Sequence, residues 1–325
     1  MMGANLNASG GIHLKRIRPA LRLILALSLA CILTASCGVV SAGAEAATGQ
    51  PAGAGRISYL GPAGTYTEEA AQFFFPEADA LQPKDTVPEA IRDVAEGRAD
   101  FAVIPQENTL GGAVTGYVDA LIAEENIFVA GEVILPINQT LMGLPGAALE
   151  DIRTVCSHAQ GLAQSAAWRK EHLPEAAALE MASTAAAASH VAESGDKTLA
   201  AVASPGAARL YGLSVLAENV QISDANKTRF YVLSAARPEA ETRTHAVFVA
   251  TCEANRIDDI LIGIHDTGLE LVTLHDRPEG SRLGSYHYLI EAECASGITS
   301  QQIDSISRIP EVRFLGCFDS REKQN

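Results

Sequence analysis

Aromatic side chains are scarce: one Trp, seven Tyr and nine Phe in 325 residues. Few platforms exist for stacking bases, and the abundant Ala favours closely packed helices. Basic charge is also short, with 24 Lys and Arg against 39 Asp and Glu and a net charge of −15. Binding to nucleic acid or anionic lipid through a broad basic patch is therefore excluded. The six Cys show no CxxC or Cys/His spacing and the eight His no HExxH, so no metal site is expected. Gly61-Pro62-Ala63-Gly64 lacks the Lys-Ser/Thr of a nucleotide-binding loop. No uninterrupted apolar run reaches the ~20 residues of a spanning helix.

What is present is 47% hydrophobic residues and a mean hydropathy of +0.11, enough for sizeable cores. The length allows about two domains at ~100–200 residues each. Lys15, Arg16, Arg18 and Arg22 precede the uncharged run Leu23–Leu33, which reads as a signal h-region. Val40-Ser41-Ala42 and Ala44-Glu45-Ala46 resemble cleavage sites, and Thr34-Ala35-Ser36-Cys37 is a weak lipobox. The expectation is a leader over 1–42 that exports the protein to the periplasm or anchors it to a membrane. A wrongly assigned start codon would leave it cytoplasmic. Cys156, Cys252, Cys294 and Cys317 read as buried thiols, with a disulfide among the last three as the alternative.

Residues 43–55 form a Gly/Ala/Pro linker. Beyond it, short apolar strands run into hydroxyl-bearing turns and then helices. Ile57–Leu60 leads to Thr65 and a helix over 66–75. Thr154–Cys156 leads to Ser157 and a helix to about Glu171. Leu179–Ala182 leads to Ser183, Thr184 and a helix over 185–194. A fourth strand, Phe101–Ile104, ends in a loop carrying Glu107 and Asn108. This alternation predicts an α/β fold with parallel sheets. After a break at 235–242 the order becomes βαββαβ over 243–319, the ferredoxin-like plan.

Thr65-Tyr66-Thr67-Glu68 and Ser157-His158-Ala159-Gln160 fit the capping box, which is a structural role for each. Taken together, three helix N-termini at the carboxyl ends of strands also form a place to hold a small polyanion. His158 reads as a helix-start or core residue before it reads as a base.

Gly61–Thr67, Pro105–Thr109, Ser157–Gln160, Ser183–Ala185 and Asn226-Lys227-Thr228-Arg229-Phe230 are similar, in order and spacing, to the signature of the prephenate dehydratases. The resemblance implies a catalytic domain over 56–234, two-lobed like a type 2 periplasmic binding protein. Lobe 1 would take about 56–133 and 214–234, and lobe 2 about 134–213. The tail would be a regulatory ACT domain, with no chorismate mutase segment. The implied reaction is loss of carbon dioxide and water from prephenate, giving phenylpyruvate for phenylalanine biosynthesis, without a cofactor. Thr228 would hydrogen-bond the leaving hydroxyl, and Glu107 is the candidate acid. Thr65, Asn108, Ser157, Gln160, Ser183, Thr184, Arg229 and Phe230 would bind the substrate, with Arg229 offsetting its charge. The family's phenylalanine-binding segments correspond to Asn255-Arg256-Ile257, without the Gly, and to His275-Asp276-Arg277-Pro278, which keeps only Arg277 and Pro278. Phenylalanine as an effector is thus left open, while a homodimer or homotetramer through the tail is expected. Arogenate dehydratase, and a non-catalytic exported receptor for an aromatic acid, are the competing readings.

Overall fold

The structure is a computed structural model and describes residues 55–324 apart from Asp224 and Glu241. The leader, its cleavage sites and Cys37 lie outside the described residues. Among those described, no helix is long and apolar enough to cross a membrane. Cys156, Cys252, Cys294 and Cys317 are free thiols.

The first part of the chain alternates strand and helix: β1 (Arg56–Leu60), α1 (Tyr66–Phe74), β2 (Ala80–Lys84), α2 (Val87–Ala95) and β3 (Phe101–Asn108). Ile57 and Tyr59 of β1 and Ala102, Val103 and Ile104 of β3 are buried, the signature of strands covered on both faces. Helix α2 shows why its sequence folds as it does. Thr86 caps it by accepting from the Glu89 N–H, Pro88 sits in the first turn, and Val87, Ala90, Ile91 and Val94 form one apolar stripe.

Asp93 is the charged exception on that helix, buried between Lys84 at 2.5 Å and Arg98 at 2.7 Å. Burial pushes its carboxyl up, but the bonds to Lys84 and Arg98 win and hold it below the usual carboxylate range. A carboxyl with a depressed folded pKa stabilises the fold above its unfolded value and loses that contribution as pH falls through the folded one. Because the two cations keep solvent access, Asp93→Asn should cost about 1–2 kcal/mol near neutral pH. The difference from wild type should shrink below about pH 4. Urea unfolding of both proteins at neutral and acid pH checks this.

Next come β4 (Gly112–Ala113), α3 (Thr115–Ala123) and β5 (Phe128–Pro136). The chain then crosses at Ile137, Asn138 and Gln139 into a second sheet. Its members are β6 (Thr140–Gly143), β7 (Thr154–Ser157), β8 (Ala177–Glu180), β9 (Leu199–Ala203) and β10 (Ser214–Ala217), ordered β10-β6-β9-β7-β8. Helices α4 (Ala159–Gln164), α5 (Ala166–His172), α6 (Thr184–Ser194) and α7 (Pro205–Tyr211) connect them. The sequence places the return to the first lobe from about residue 214. Instead β10 pairs antiparallel with β6 in the second sheet, and the return follows it, into β11 (Lys227–Ser234).

The tail is β12 (His245–Glu253), α8 (Ile257–His265), β13 (Glu270–Pro278), β14 (Ser285–Glu293), α9 (Ser300–Ile306) and β15 (Val312–Phe318), followed by β16 (Ser320–Glu322). Its antiparallel order β13-β14-β12-β15 is that of a ferredoxin-like βαββαβ unit. This sheet joins the first one, giving β13-β14-β12-β15-β5-β11-β3-β1-β2. The junction needs a residue without a side chain. A Cβ on Gly316 of β15 would lie 2.1 Å from the Val129 carbonyl oxygen of β5.

Candidate active site

The extent of β3 differs from the sequence reading and decides where side chains point. Strand β3 does not stop at Ile104; it continues through Glu107 and Asn108, so both are strand residues and not loop residues. Pro105 is tolerated there because it lies opposite Phe230 at a bulge in the β11–β3 pairing. Strand alternation then separates neighbours. Asn108, Thr228 and Phe230 line a cavity of about 330 Å³, while Glu107 and Arg229 lie outside its lining.

Leu60, Pro105, Val114, Ile137 and Phe230 supply the apolar wall of this cavity. Three helix starts supply the polar wall. Thr65 caps α1, its hydroxyl accepting from the Glu68 N–H at 3.4 Å. The Glu68 carboxylate does not close a capping box onto Thr65; it accepts from the Gly64 N–H at 2.6 Å and from the Tyr59 hydroxyl at 3.0 Å. Ser183 caps α6, accepting from the Ala186 N–H at 3.0 Å, with Thr184 beside it. At α4 the cap is His158, whose Nδ1 accepts from the Gln160 N–H at 3.3 Å. No Lys or Arg is among the described lining residues, so free N–H groups at the helix starts are the positive feature offered to an anion.

Ser157 is the first correction. It is fully buried and donates to the Val202 carbonyl at 2.6 Å, away from the cavity. The bare backbone of Gly161 lets α4 sit on β7: a Cβ there would meet the Ser157 hydroxyl at 2.3 Å. Ser157→Ala should cost about 1 kcal/mol of stability and leave KM for the substrate unchanged. Thermal unfolding and steady-state kinetics separate the two effects.

Arg229 is the second correction. Its guanidinium bonds the buried carboxylates of Glu132 and Glu291 and approaches Glu107 at 3.6 Å. It does not offset a charge in the cavity. Glu107 is the third: facing Arg229, it is not placed to donate a proton to a ligand in the cavity. In the tail, Arg277 is engaged by Asp119 of α3 at 2.6 and 2.7 Å. His275 is half-buried, and burial pushes its imidazole pKa down. Asp276 and Pro278 stand on the same strand, β13, and none of these four lines the cavity.

The polar centre of the cavity is built around Asn108. Its Oδ1 accepts from the Leu110 and Gly111 N–H groups, both at 3.0 Å, which fixes the orientation of the amide. Its Nδ2 donates to the Asn226 Oδ1 at 2.8 Å and to the Thr228 Oγ1 at 2.9 Å. Because Oγ1 of Thr228 is accepting, its own proton is free to point into the cavity. Gln160 reaches across from α4, which follows β7 of the second sheet, its Nε2 3.4 Å from the Asn108 Oδ1. Gln139 and Gln164, bonded at 2.9 Å, complete the polar lining, and the buried Oε1 of Gln139 has no partner among the described residues. Sequence reasoning misses both Gln residues. Gln139 is detectable as the polar residue ending the crossover from β5.

The fold and site together define an α/β protein with a mixed sheet, whose cavity between two sheets presents helix N-termini and one oriented hydroxyl donor to a small anion. The family model for prephenate dehydratase matches residues 57–238. A prephenate dehydratase of Amycolatopsis methanolica is 35% identical, over 81% of this chain and 88% of that one. The crystal structure of an Arthrobacter aurescens prephenate dehydratase in complex with L-Phe superposes with a TM-score of 0.72, at 31% identity, covering 81% of this chain and 90% of that one. A structure described as GqqA, a novel type of quorum quenching acylase, has the same TM-score at 28% identity, covering 82% and 98%. The chain belongs to the prephenate dehydratase family.

Proposed function

We propose that the cavity carries out the decarboxylating dehydration of prephenate through Thr228. The observation that supports this is the Asn108–Thr228 hydrogen bond, which leaves the threonine proton as a donor toward the ligand. In the reaction the ring C–C bond to the carboxylate breaks and releases carbon dioxide. The electron pair moves through the diene and expels the hydroxyl on the opposite ring carbon, which leaves as water after taking a proton from solvent. Thr228 stabilises the charge growing on that oxygen, as an oxyanion donor does. A threonine hydroxyl is too weak an acid to give up its proton outright. The helix starts at Thr65, His158 and Ser183 hold the carboxylates, Gln160 joins the lobes over the ligand, and Phe230 packs against the ring. Aromatisation drives the step.

The two sheets act as the lobes of a type 2 binding-protein-like catalytic domain. The βαββαβ unit acts as an ACT-like regulatory domain that pairs two copies of the chain. Its edge strand β13 and the exposed Leu271 and Leu274 support that pairing. The L-Phe bound to the Arthrobacter relative supports L-phenylalanine as an effector. The basic and apolar leader supports export. Incubating the purified protein with prephenate and with arogenate tests the reading. Phenylpyruvate should form from prephenate with the higher kcat/KM, and L-phenylalanine should lower the rate. Preference for arogenate would reassign the substrate.

A further inference from the structure

The polar pair in the cavity has a second pair directly behind it. Asn108 follows Glu107 on β3, and Thr228 precedes Arg229 on β11; the two strands are paired in register at both positions. The Asn108–Thr228 bond faces the ligand, and the Glu107–Arg229 contact faces the tail.

Arg229 is held there by three strands. Its Nε donates to the Glu132 Oε2 on β5 at 2.7 Å, and its Nη2 to the Glu291 Oε1 on β14 at 2.6 Å. The other oxygen of Glu291 accepts from the Tyr231 hydroxyl at 2.7 Å, and Ser320 donates to the second oxygen of Glu132. Glu132 and Glu291 are 1% and 0% exposed. Two buried carboxylates sharing one guanidinium form a costly arrangement that an apolar cluster could replace with no loss of stability. Packing alone does not explain it.

The location does. The β11–β3 register shifts between Arg229 and Phe230, one residue from Thr228. A bulge is where a strand bends, so the direction of the Thr228 hydroxyl is most sensitive at this point. Arg229 pins the bulge to β5 on one side and to the tail on the other. Among the described residues, Glu291 is the one of its three carboxylate partners that comes from the βαββαβ unit.

We infer that Arg229 is a positioning residue for the dehydration, and that Glu291 of the C-terminal unit completes its cage, so that docking of the tail sets the Thr228 donor from behind. The inference rests on Thr228 being the donor in the reaction proposed above. It identifies a residue of the tail that the chemistry needs even without an effector.

The test uses the full chain with saturating prephenate, well below each variant's unfolding temperature. Glu291→Gln should lower kcat by about tenfold or more, with KM within about twofold, because a small misplacement of a catalytic group is costly in rate. Asp119→Asn breaks the exposed Arg277 contact of the same docked tail without touching the cage; its kcat should stay within about twofold of wild type. A merely structural role for Glu291 would lower the unfolding temperature and leave kcat unchanged, and that result overturns the inference. So does an equal kcat loss in Asp119→Asn, which would make docking in general, and not the cage, responsible. If Glu291→Gln does not fold, Tyr231→Phe removes one bond to Glu291 and should lower kcat by roughly twofold to fivefold; unchanged kcat there overturns the inference equally. A wild-type protein inactive on prephenate would instead defeat the functional reading.

Discussion

Thr228→Val is expected to lower kcat on prephenate by about 10²–10³-fold, the usual effect of removing one donor aimed at a developing oxyanion. The substitution keeps β-branching and nearly the same volume, so β11 should retain its pairing with β3 and β5. Asn108 loses one of the acceptors of its Nδ2 but keeps the Asn226 Oδ1 and the Lys227 carbonyl, at 2.8 and 3.2 Å. The stability cost should therefore stay near ~1 kcal/mol. Substrate contacts made by the helix starts are untouched, so KM should move little. Thr228→Ser keeps the hydroxyl and should retain activity within about tenfold. Steady-state kinetics and thermal unfolding of both variants measure this. Near-wild-type turnover in the Val variant would remove Thr228 from the chemistry.

Asn108→Asp is expected to do more damage, with kcat/KM falling by about 10³-fold or more, since two effects combine. The amide at this position donates to Asn226, Lys227 and Thr228. A carboxylate has no donors. It would face acceptor oxygens at short range and draw the Thr228 proton toward itself, away from the ligand. It would also place a negative charge in a cavity whose described lining has no Lys or Arg, against an anionic substrate. The same change should lower the unfolding temperature, so rates belong well below it. A KM increase with unchanged kcat would show that Asn108 serves binding alone.

Much of this site is legible in the sequence. Hydroxyl residues at helix starts after apolar strands announce a cleft for anions, and Thr65, Ser183 and Thr184 line it. The βαββαβ order follows from periodicity in the tail. What fails is the facing of side chains. Glu107-Asn108 and Thr228-Arg229 read as motif pairs sharing one site. A strand turns adjacent residues to opposite faces, so each pair contributes one member to the cavity and one to the Arg229 cage. Pro105 conceals this by suggesting that β3 has ended, where a bulge accommodates it. Ser157 misleads for a related reason: a Ser-x-x-Gln spacing fits a cap, but the strand runs one residue further and hands that role to His158. The pairing within the cage is not legible in the sequence, because its partners lie as far apart as Glu132 and Glu291. The only local hint is a Glu embedded in each of two apolar strands, which a buried strand tolerates only with a partner.

The claim that the Thr228 hydroxyl acts on the leaving group is tested most directly by one measurement. Carbon dioxide and phenylpyruvate are followed in parallel from saturating prephenate, with wild-type protein and with Thr228→Val. Wild type should give equal amounts of the two products, and the variant should form both more slowly, together, by about 100-fold or more. Equal product formation at the same rate by both proteins would contradict that claim.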